Sequence, residues 1–172
     1  MMNNSTQKIN LSELNLKETV IQIKRVTKVV KGGRTLKFRA LVVVGNEAGV
    51  VGYGVGKAKD PREAVKKAVY KARKKLIRVP LTKGTIPHSI EGKYNATRVK
   101  LRPASPGTGV LAGGGVRAVL QCTGVPNILA KLNKANNRCN AVRATISGLQ
   151  SLRSAVMVAQ DRGITLDKVF NG

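Results

Sequence analysis

A strand–turn–strand pattern between Lys24 and Val44 constrains the fold of this chain more than any other stretch. Two runs rich in Val, Thr and other β-type residues flank the pair Gly32-Gly33. A Gly-Gly pair between such runs predicts a tight hairpin turn, because glycine accepts positive φ without steric cost. Apolar residues alternate along the second run, so one strand face should pack on a core and the other should meet solvent or a polyanion.

The hairpin also carries a high density of positive charge. It contains no acid and seven cations, which are Lys24, Arg25, Lys28, Lys31, Arg34, Lys37 and Arg39. The whole chain has 32 Lys and Arg against 8 Asp and Glu, a formal net charge of +24. Such a chain repels itself unless counter-charge is supplied, and a nucleic-acid backbone is the natural source.

Composition argues against other classes of partner and against catalysis. The cations are spread over strands, loops and a helix, with no apolar anchor beside them, so we expect no membrane binding. Five scattered aromatic residues and no Trp are few for stacking single-stranded bases, which favours structured RNA or duplex. Cys122, Cys139 and His88 are too few for a metal site. No nucleophile or carboxylate pattern surrounds His88, so no catalytic residue, cofactor or small-molecule substrate is predicted.

The first part of the chain predicts a polar tail at residues 1–17, three strands and a helix. The first predicted strand is Thr19–Val30, the second follows the Gly-Gly turn and ends at Val44, and the third is Val50–Lys57. A helix is predicted from Asp60 to Val79. Apolar residues recur at helical spacing, and after Glu63 every charge on the remaining helix face is positive. We therefore expect this helix, with Lys66 and the preceding Lys57, to contact a polyanion.

Two glycine-rich strings raise the alternative of a nucleotide-binding enzyme. The string VGYGVGKA lacks the first glycine of a phosphate loop and has Ala58 where Ser or Thr would meet magnesium. The string AGGGVRA matches a weak dinucleotide fingerprint, but no acid occurs between Glu91 and Asp161 to bind a ribose. We interpret the first string as a strand packed closely on a helix and the second as a tight loop leading into a helix N-terminus.

Residues 83–153 predict a second, smaller α/β unit after a linker at Leu81–Gly84. Its predicted elements are strands at Thr85–Glu91, Tyr94–Leu101 and Asn127–Leu132 and helices at Gly114–Thr123 and Cys139–Leu152. On the helix at Cys139–Leu152, the spacing places Val142 and Ile146 inward and Arg143 outward. Residues 154–172 are predicted as a short helical tail.

Five strings of the chain resemble the universal small-subunit ribosomal protein five family, in its bacterial or plastid form. They are RVTKVVKGGRTLKFRALVVVG at Arg25–Gly45, VGYGVGKA at Val51–Ala58, RPASPGTGVLAGGGVRAVL at Arg102–Leu120, GVPNILAK at Gly124–Lys131 and NAVRATISGL at Asn140–Leu149. The strings stand in the family's order and spacing, and the match extends from Glu18 to Gly163.

The resemblance implies an α+β fold of two small domains. Residues 18–82 would resemble the double-stranded-RNA-binding fold, with a three-stranded sheet and one helix, and residues 83–153 would form a two-layer domain of the left-handed βαβ type. The implied function is structural and not enzymatic. The chain would be a constituent of the 30S-type subunit that binds 16S-type rRNA, lies on the mRNA entry side and supports translational accuracy. It would act on ribosomes of the bacterial cytoplasm or plastid stroma.

Two sets of site residues follow from the charge pattern and the resemblance. The predicted RNA-binding set is Lys24, Arg25, Lys28, Lys31, Gly32, Gly33, Arg34, Lys37, Arg39, Lys57 and Lys66. The resemblance implies a contact of Gly107, Thr108, Gly109 and Arg117 with ribosomal protein four, and of the C-terminal domain with ribosomal protein eight. A free-standing regulator that binds duplex RNA is the other alternative that the residues leave open.

Overall fold

The computed structural model describes residues 15–133 and 137–171. Most of the predicted polar tail at residues 1–17 therefore lies outside the described residues. The N-terminal half contains β1 (Lys17–Val30), β2 (Gly33–Gly45), β3 (Val50–Ala58), α1 (Pro61–Arg73) and β4 (Leu76–Arg78). The C-terminal half contains β5 (Ile90–Tyr94), β6 (Thr97–Pro103), β7 (Val110–Leu111), α2 (Gly114–Thr123), β8 (Ile128–Asn133), α3 (Arg138–Gln150), α4 (Ala155–Arg162) and α5 (Leu166–Asn171). The α+β class is confirmed, since each half forms one sheet with helices packed on it.

The N-terminal sheet is antiparallel in the order β1-β2-β3-β4 and has one strand more than predicted. The segment Leu76–Arg78, predicted as the end of the helix, forms β4 and pairs with β3 from Val50 to Gly52. The helical spacing of apolar residues continues through this segment. Pairing, however, gives hydrogen-bond partners to the edge of β3 where Val50 and Val51 are buried, and buried backbone groups need such partners.

Glycines on β3 let α1 pack against the sheet at backbone contact. A Cβ placed on Gly52 would lie 2.7 Å from the carbonyl oxygen of Ala72, and one on Gly54 would lie 2.7 Å from the backbone nitrogen of Ala72. Ala64, Ala68 and Ala72 are fully buried on the facing side of the helix. The first glycine-rich string is therefore a helix-packing strand, as predicted, and α1 occupies the space that a phosphate would need.

The C-terminal sheet has the order β5-β6-β8-β7, in which β7 and β8 run parallel and are joined through α2. Two residues are too short for a periodic pattern, so β7 was not predicted. The predicted strand at Thr85–Glu91 is wrong for most of its length, because β5 begins at Ile90. Thr85 lies instead in a loop, where its hydroxyl donates to the carbonyl oxygen of Asn127 at 2.7 Å and accepts from the backbone nitrogen of Ala104 at 3.2 Å.

One apolar core joins the two halves of the chain. Leu41 and Val43 lie on the sheet face opposite α1 and share a buried cluster with Val119 of α2. The β2–β3 turn is also bonded to the end of α2, where the backbone nitrogen of Gly49 donates to the carbonyl oxygen of Thr123 at 2.8 Å. The face of β2 opposite α1 was predicted to meet solvent or a polyanion. That prediction is wrong from Leu41 onward, because the C-terminal half of the chain covers this face.

Arg143 lies in this domain junction, although the helical pattern predicted that it points outward. Its guanidinium donates to the hydroxyl of Tyr94 and lies over the rings of Tyr53 and Tyr94, 6.0 and 4.9 Å from their centroids. Arg39 reaches the same junction and donates from Nη2 to the sulfur of Cys139 at 3.3 Å. Because Tyr53 belongs to β3 and Tyr94 to β5, the Arg143 cation connects the two sheets.

Replacing Gly54 with alanine should lower the free energy of unfolding by about 2–3 kcal/mol, because the new methyl group meets helix backbone that cannot move aside. Gly114→Ala is the matched control, since no described residue from another element has an atom within 4 Å of a Cβ at that position. Its effect should stay within about 0.5 kcal/mol. Urea unfolding followed by circular dichroism measures both variants. Equal stability of Gly54→Ala and the parent would contradict backbone contact between α1 and β3.

Replacing Arg143 with leucine should loosen the domain junction and leave each sheet intact. Loss of the ring contacts and of the hydrogen bond to Tyr94 should cost about 1–3 kcal/mol. Hydrogen exchange should become faster around Tyr53 in β3 and throughout β5. Arg153→Leu removes an exposed cation just after the same helix and should leave that exchange unchanged. The same exchange in both variants would show that Arg143 does not hold the sheets together.

Candidate nucleic-acid interface

The β1–β2 hairpin extends beyond the N-terminal sheet as a ribbon, residues 24–39, which is two-stranded from Val26 to Lys37. The two strands stay paired as far as Val30 and Gly33, whereas β3 reaches β2 only as far as Phe38. The ribbon is therefore almost wholly exposed, and its turn lies roughly 20 Å beyond the last pair with β3. Gly32 has a φ of +97°, which confirms the glycine turn at the predicted position.

The strand register divides the hairpin cations between two faces. Residues that oppose each other across an antiparallel pair share a face, and the faces alternate along each strand. Lys24 opposes Arg39, and both belong to what we call the basic face, which continues the side of the sheet covered by the C-terminal half. The basic face consists of Lys24, Lys28, Lys37 and Arg39. Arg25 and Arg34 lie on the reverse face, and Lys31 lies in the turn.

A row of cations crosses the base of the ribbon. Lys24 opposes Arg39, which in turn opposes Lys57 on β3. Arg39 is half-buried and held by Cys139, whereas Lys24 and Lys57 are exposed. The structure thus brings three predicted residues together where the ribbon leaves the sheet, with the arginine fixed in the domain junction and the two lysines open to solvent.

The described acids do not neutralise the ribbon. In the part of the chain that the structure describes, no ion pair involves residues 24–39. Glu47 pairs with Lys17 at 2.8 Å and Glu18 pairs with Arg73 at 3.0 Å, both outside the ribbon. The hydrogen bond from Lys17 to Glu47, together with the charge of that carboxylate, raises the pKa of the Lys17 ammonium. The ribbon charges are therefore available to an external polyanion.

Lys66 lies apart from the ribbon, although it was predicted as part of the same RNA-binding set. It lines a groove between α1 and the outer edge of β3. The residues of this groove are Val55, Lys57, Lys66, Lys67, Tyr70 and Lys71. Only Lys57 belongs both to the groove and to the row at the base of the ribbon. The predicted set thus divides into two basic surfaces.

The predicted protein-contact residues lie on two elements. Gly107, Thr108 and Gly109 form the loop that precedes β7, and Arg117 lies exposed on the first turn of α2. The side-chain oxygen of Asn127 accepts hydrogen bonds from the backbone nitrogens of Gly107 at 3.0 Å and of Gly109 at 3.1 Å. Asn127 therefore holds the loop in place. A single Asn at the start of a strand gives no sequence signal for this role, so it was not predicted.

The outer face of the C-terminal sheet is a further basic surface that was not predicted. Its cations are Lys93, Arg98, Lys100, Arg102 and Lys131. Glu91 lies among them, 3.7 Å from Arg98 and 3.9 Å from Lys100. Leu111 and Leu129 are paired at one end of the face and are 55% and 38% exposed. The alternation of apolar and basic residues in TRVKLRP was the signal that could have revealed this surface.

The groups that could carry out chemistry have structural partners. His88 accepts at Nε2 from the backbone nitrogen of Arg153 at 3.2 Å, and its Nδ1 donates to the carbonyl oxygen of Ser89 at 3.1 Å. Burial raises the pKa of the Cys122 thiol, which donates to the hydroxyl of Thr19 at 3.4 Å. Among the described residues, no group of three or more His, Cys, Asp or Glu could hold a metal ion. No described helix combines the length and apolarity needed to cross a bilayer.

Comparison with known families identifies both halves of the chain. Residues 16–80 match the model described as ribosomal protein S5, N-terminal domain. Residues 92–162 match the model described as ribosomal protein S5, C-terminal domain. The first match contains the ribbon and α1, and the second contains the loop at Gly107–Gly109 and the outer sheet face.

Full-length relatives support the same assignment. The small ribosomal subunit protein uS5 of Bacteroides thetaiotaomicron is 49% identical over 161 residues, which is 94% of each chain. The protein of that name from Trichormus variabilis is 55% identical over 159 residues, 92% of this chain and 91% of the relative. The one from Porphyromonas gingivalis is 53% identical over 161 residues, again 94% of each chain. The chain therefore belongs to the ribosomal protein S5 family, whose members are structural, non-enzymatic components of the small ribosomal subunit.

Proposed function

We propose that the chain binds 16S-type rRNA within the small subunit and that the ribbon is its principal RNA contact. The observation that carries this proposal is a set of cations on a narrow element that projects from the sheet, none of which forms an ion pair within residues 15–133 and 137–171. In this proposal, residues 18–82 form the RNA-binding domain, residues 83–153 the C-terminal domain and residues 154–172 a helical tail. RNA then supplies the counter-charge that the chain lacks.

The shape of the ribbon supports recognition of folded RNA by charge and fit. Chain neighbours aside, no described residue has an atom within 4 Å of a Cβ placed on Gly32 or Gly33, so the turn can approach a sugar–phosphate backbone closely. Both faces of the ribbon carry cations, and Val29 on the reverse face is 74% exposed. We infer that the ribbon inserts between RNA segments, which explains why neither face is apolar and buried. Phosphate contacts would give affinity, and the folded shape of the RNA would give selection.

The C-terminal half carries the proposed protein contacts. The loop at Gly107–Gly109, held by Asn127, and the exposed Arg117 are the proposed contact with ribosomal protein four. The outer sheet face, with its exposed Leu111 beside several cations, suits ribosomal protein eight, because protein interfaces combine an apolar centre with a polar rim. With protein four as neighbour, the chain would stand at the mRNA entry side and influence translational accuracy.

Replacing Lys24, Lys28 and Lys37 together with glutamine should weaken binding to 16S-type rRNA and flatten its dependence on salt. The loss of three phosphate contacts should reduce the slope of log affinity against log salt by about 2–3. Fluorescence anisotropy of a labelled rRNA fragment over a salt series measures this slope.

The matched control for the ribbon variant replaces Lys83, Arg162 and Lys168 with glutamine. This variant loses the same charge from exposed positions outside the proposed contacts, so its slope should change by less than about 1. Equal slopes for the two variants would overturn the ribbon as the principal contact.

Replacing Asn127 with alanine should release the loop at Gly107–Gly109 and reduce retention of ribosomal protein four in reconstituted small subunits. Asn127→Asp keeps an acceptor oxygen for both backbone nitrogens and should restore retention. Quantitative mass spectrometry of the purified particles measures protein four, and binding to the rRNA fragment should be unchanged in both variants. Full retention with Asn127→Ala would contradict a role for the ordered loop.

A further inference from the structure

The groove between α1 and β3 differs from the ribbon because an aromatic side chain lies among its lysines. It has a volume of about 450 Å³. The strand β4 pairs with β3 only at Val50–Gly52, so the described strands leave the edge from Tyr53 to Ala58 open. The groove therefore runs along an uncovered strand edge, with four lysines on its walls.

Tyr70 has no role in the described core. The residue is 62% exposed and belongs to neither buried cluster of the described residues. The ammonium of Lys74, one helical turn later, lies 4.2 Å from the centre of the ring. The residue makes this cation–π contact and also lines the groove. An exposed aromatic ring in a basic groove is the combination with which proteins stack nucleic-acid bases.

The lysines of the groove are nearly uncompensated. In the described part of the chain, no acid forms an ion pair with Lys57, Lys66 or Lys71. Lys67 lies 3.7 Å from Glu63 in an exposed pair, and such pairs contribute little. The groove thus attracts a polyanion independently of the ribbon.

We propose that this groove binds an unpaired nucleotide of a single-stranded RNA segment, with the base stacked on Tyr70 and the flanking phosphates on Lys57, Lys66 and Lys71. This inference rests on the proposed RNA-binding function and adds a second RNA site to it. The volume lies within the range of about 300–1,000 Å³ typical of small-ligand sites, which is enough for one nucleotide. In a duplex the base faces are covered by their neighbours, so the ring selects a single strand.

The sequence-based expectation that five aromatic residues are too few for single strands does not oppose this site. A single ring is enough to stack a single base, and the lysines around it supply the backbone contacts. An acidic peptide would satisfy the lysines but would leave the exposed ring unused, so RNA explains more of the groove than a protein partner does.

The test measures binding of the full-length chain to a short single-stranded RNA, to the duplex of the same sequence and to an abasic strand of the same length. Tyr70→Ala should weaken binding to the single strand at least about fivefold and change binding to the duplex less than about twofold. Tyr70→Phe keeps the ring and should bind like the parent. The parent should bind the abasic strand as weakly as Tyr70→Ala binds the single-stranded RNA.

Two results would overturn the inference. One is that Tyr70→Ala loses affinity for the abasic strand as much as for the single-stranded RNA, each relative to the parent. A stacking ring acts only on a base, so it should not affect binding of an abasic strand. The other is competition by polyglutamate as effective as that by single-stranded RNA, which would identify a general polyanion site open to acidic proteins. Circular dichroism of Tyr70→Ala, a change at an exposed position, confirms that the fold is retained.

The ribbon variant described above keeps the two proposals distinguishable. If it binds rRNA like the parent while Tyr70→Ala loses the single strand selectively, the ribbon proposal fails and the groove site stands. If Tyr70→Ala binds every probe like the parent while the ribbon variant loses rRNA, the groove site fails and the proposed function stands.

Discussion

Burial of the N-terminal sheet on both faces is the constraint on which the rest of this structure depends. On one face, the glycines of β3 let α1 approach until backbone meets backbone. On the other face, Leu41 and Val43 join the core of the C-terminal half. A sheet covered on both faces cannot present a broad surface to RNA. The cations proposed to contact RNA lie instead on the hairpin beyond β3 and on α1 beside the open β3 edge.

The same packing separates internal cations from external ones. Arg143 and Arg39 enter the domain junction, where aromatic rings, a hydroxyl and a thiol surround them. Burial lowers the pKa of the Arg143 guanidinium, but electrostatic interaction with Cys139 and Tyr53 and the hydrogen bond to Tyr94 raise it overall. Among the described residues, the ribbon lysines have no such partners. Charge near the core thus connects the domains, and charge away from the core remains available to a polyanion.

Local sequence patterns predicted the elements whose conformation is specified by the residues within them. The Gly32-Gly33 turn, the start of α1 and the packing role of the β3 glycines follow from short-range stereochemistry and were confirmed. The elements that were wrong or missed depend on partners distant in sequence. β4 pairs with the buried edge of β3, and Thr85, which lies before β5, is hydrogen-bonded through its hydroxyl to Asn127 and Ala104.

The candidate site shows the same division. By itself, the sequence determined that the chain is strongly basic and that a basic hairpin turns at two glycines. Only the tertiary structure decided which cations are exposed together. The face on which a side chain lies depends on strand register, and its exposure depends on what covers each strand. In the folded chain, Arg143 lies inside the domain junction, Lys66 lies apart from the ribbon, and Tyr70 lies among lysines. The physical reason is that charge and turn preference are properties of single residues, whereas a surface is defined by the packing of segments far apart in the chain.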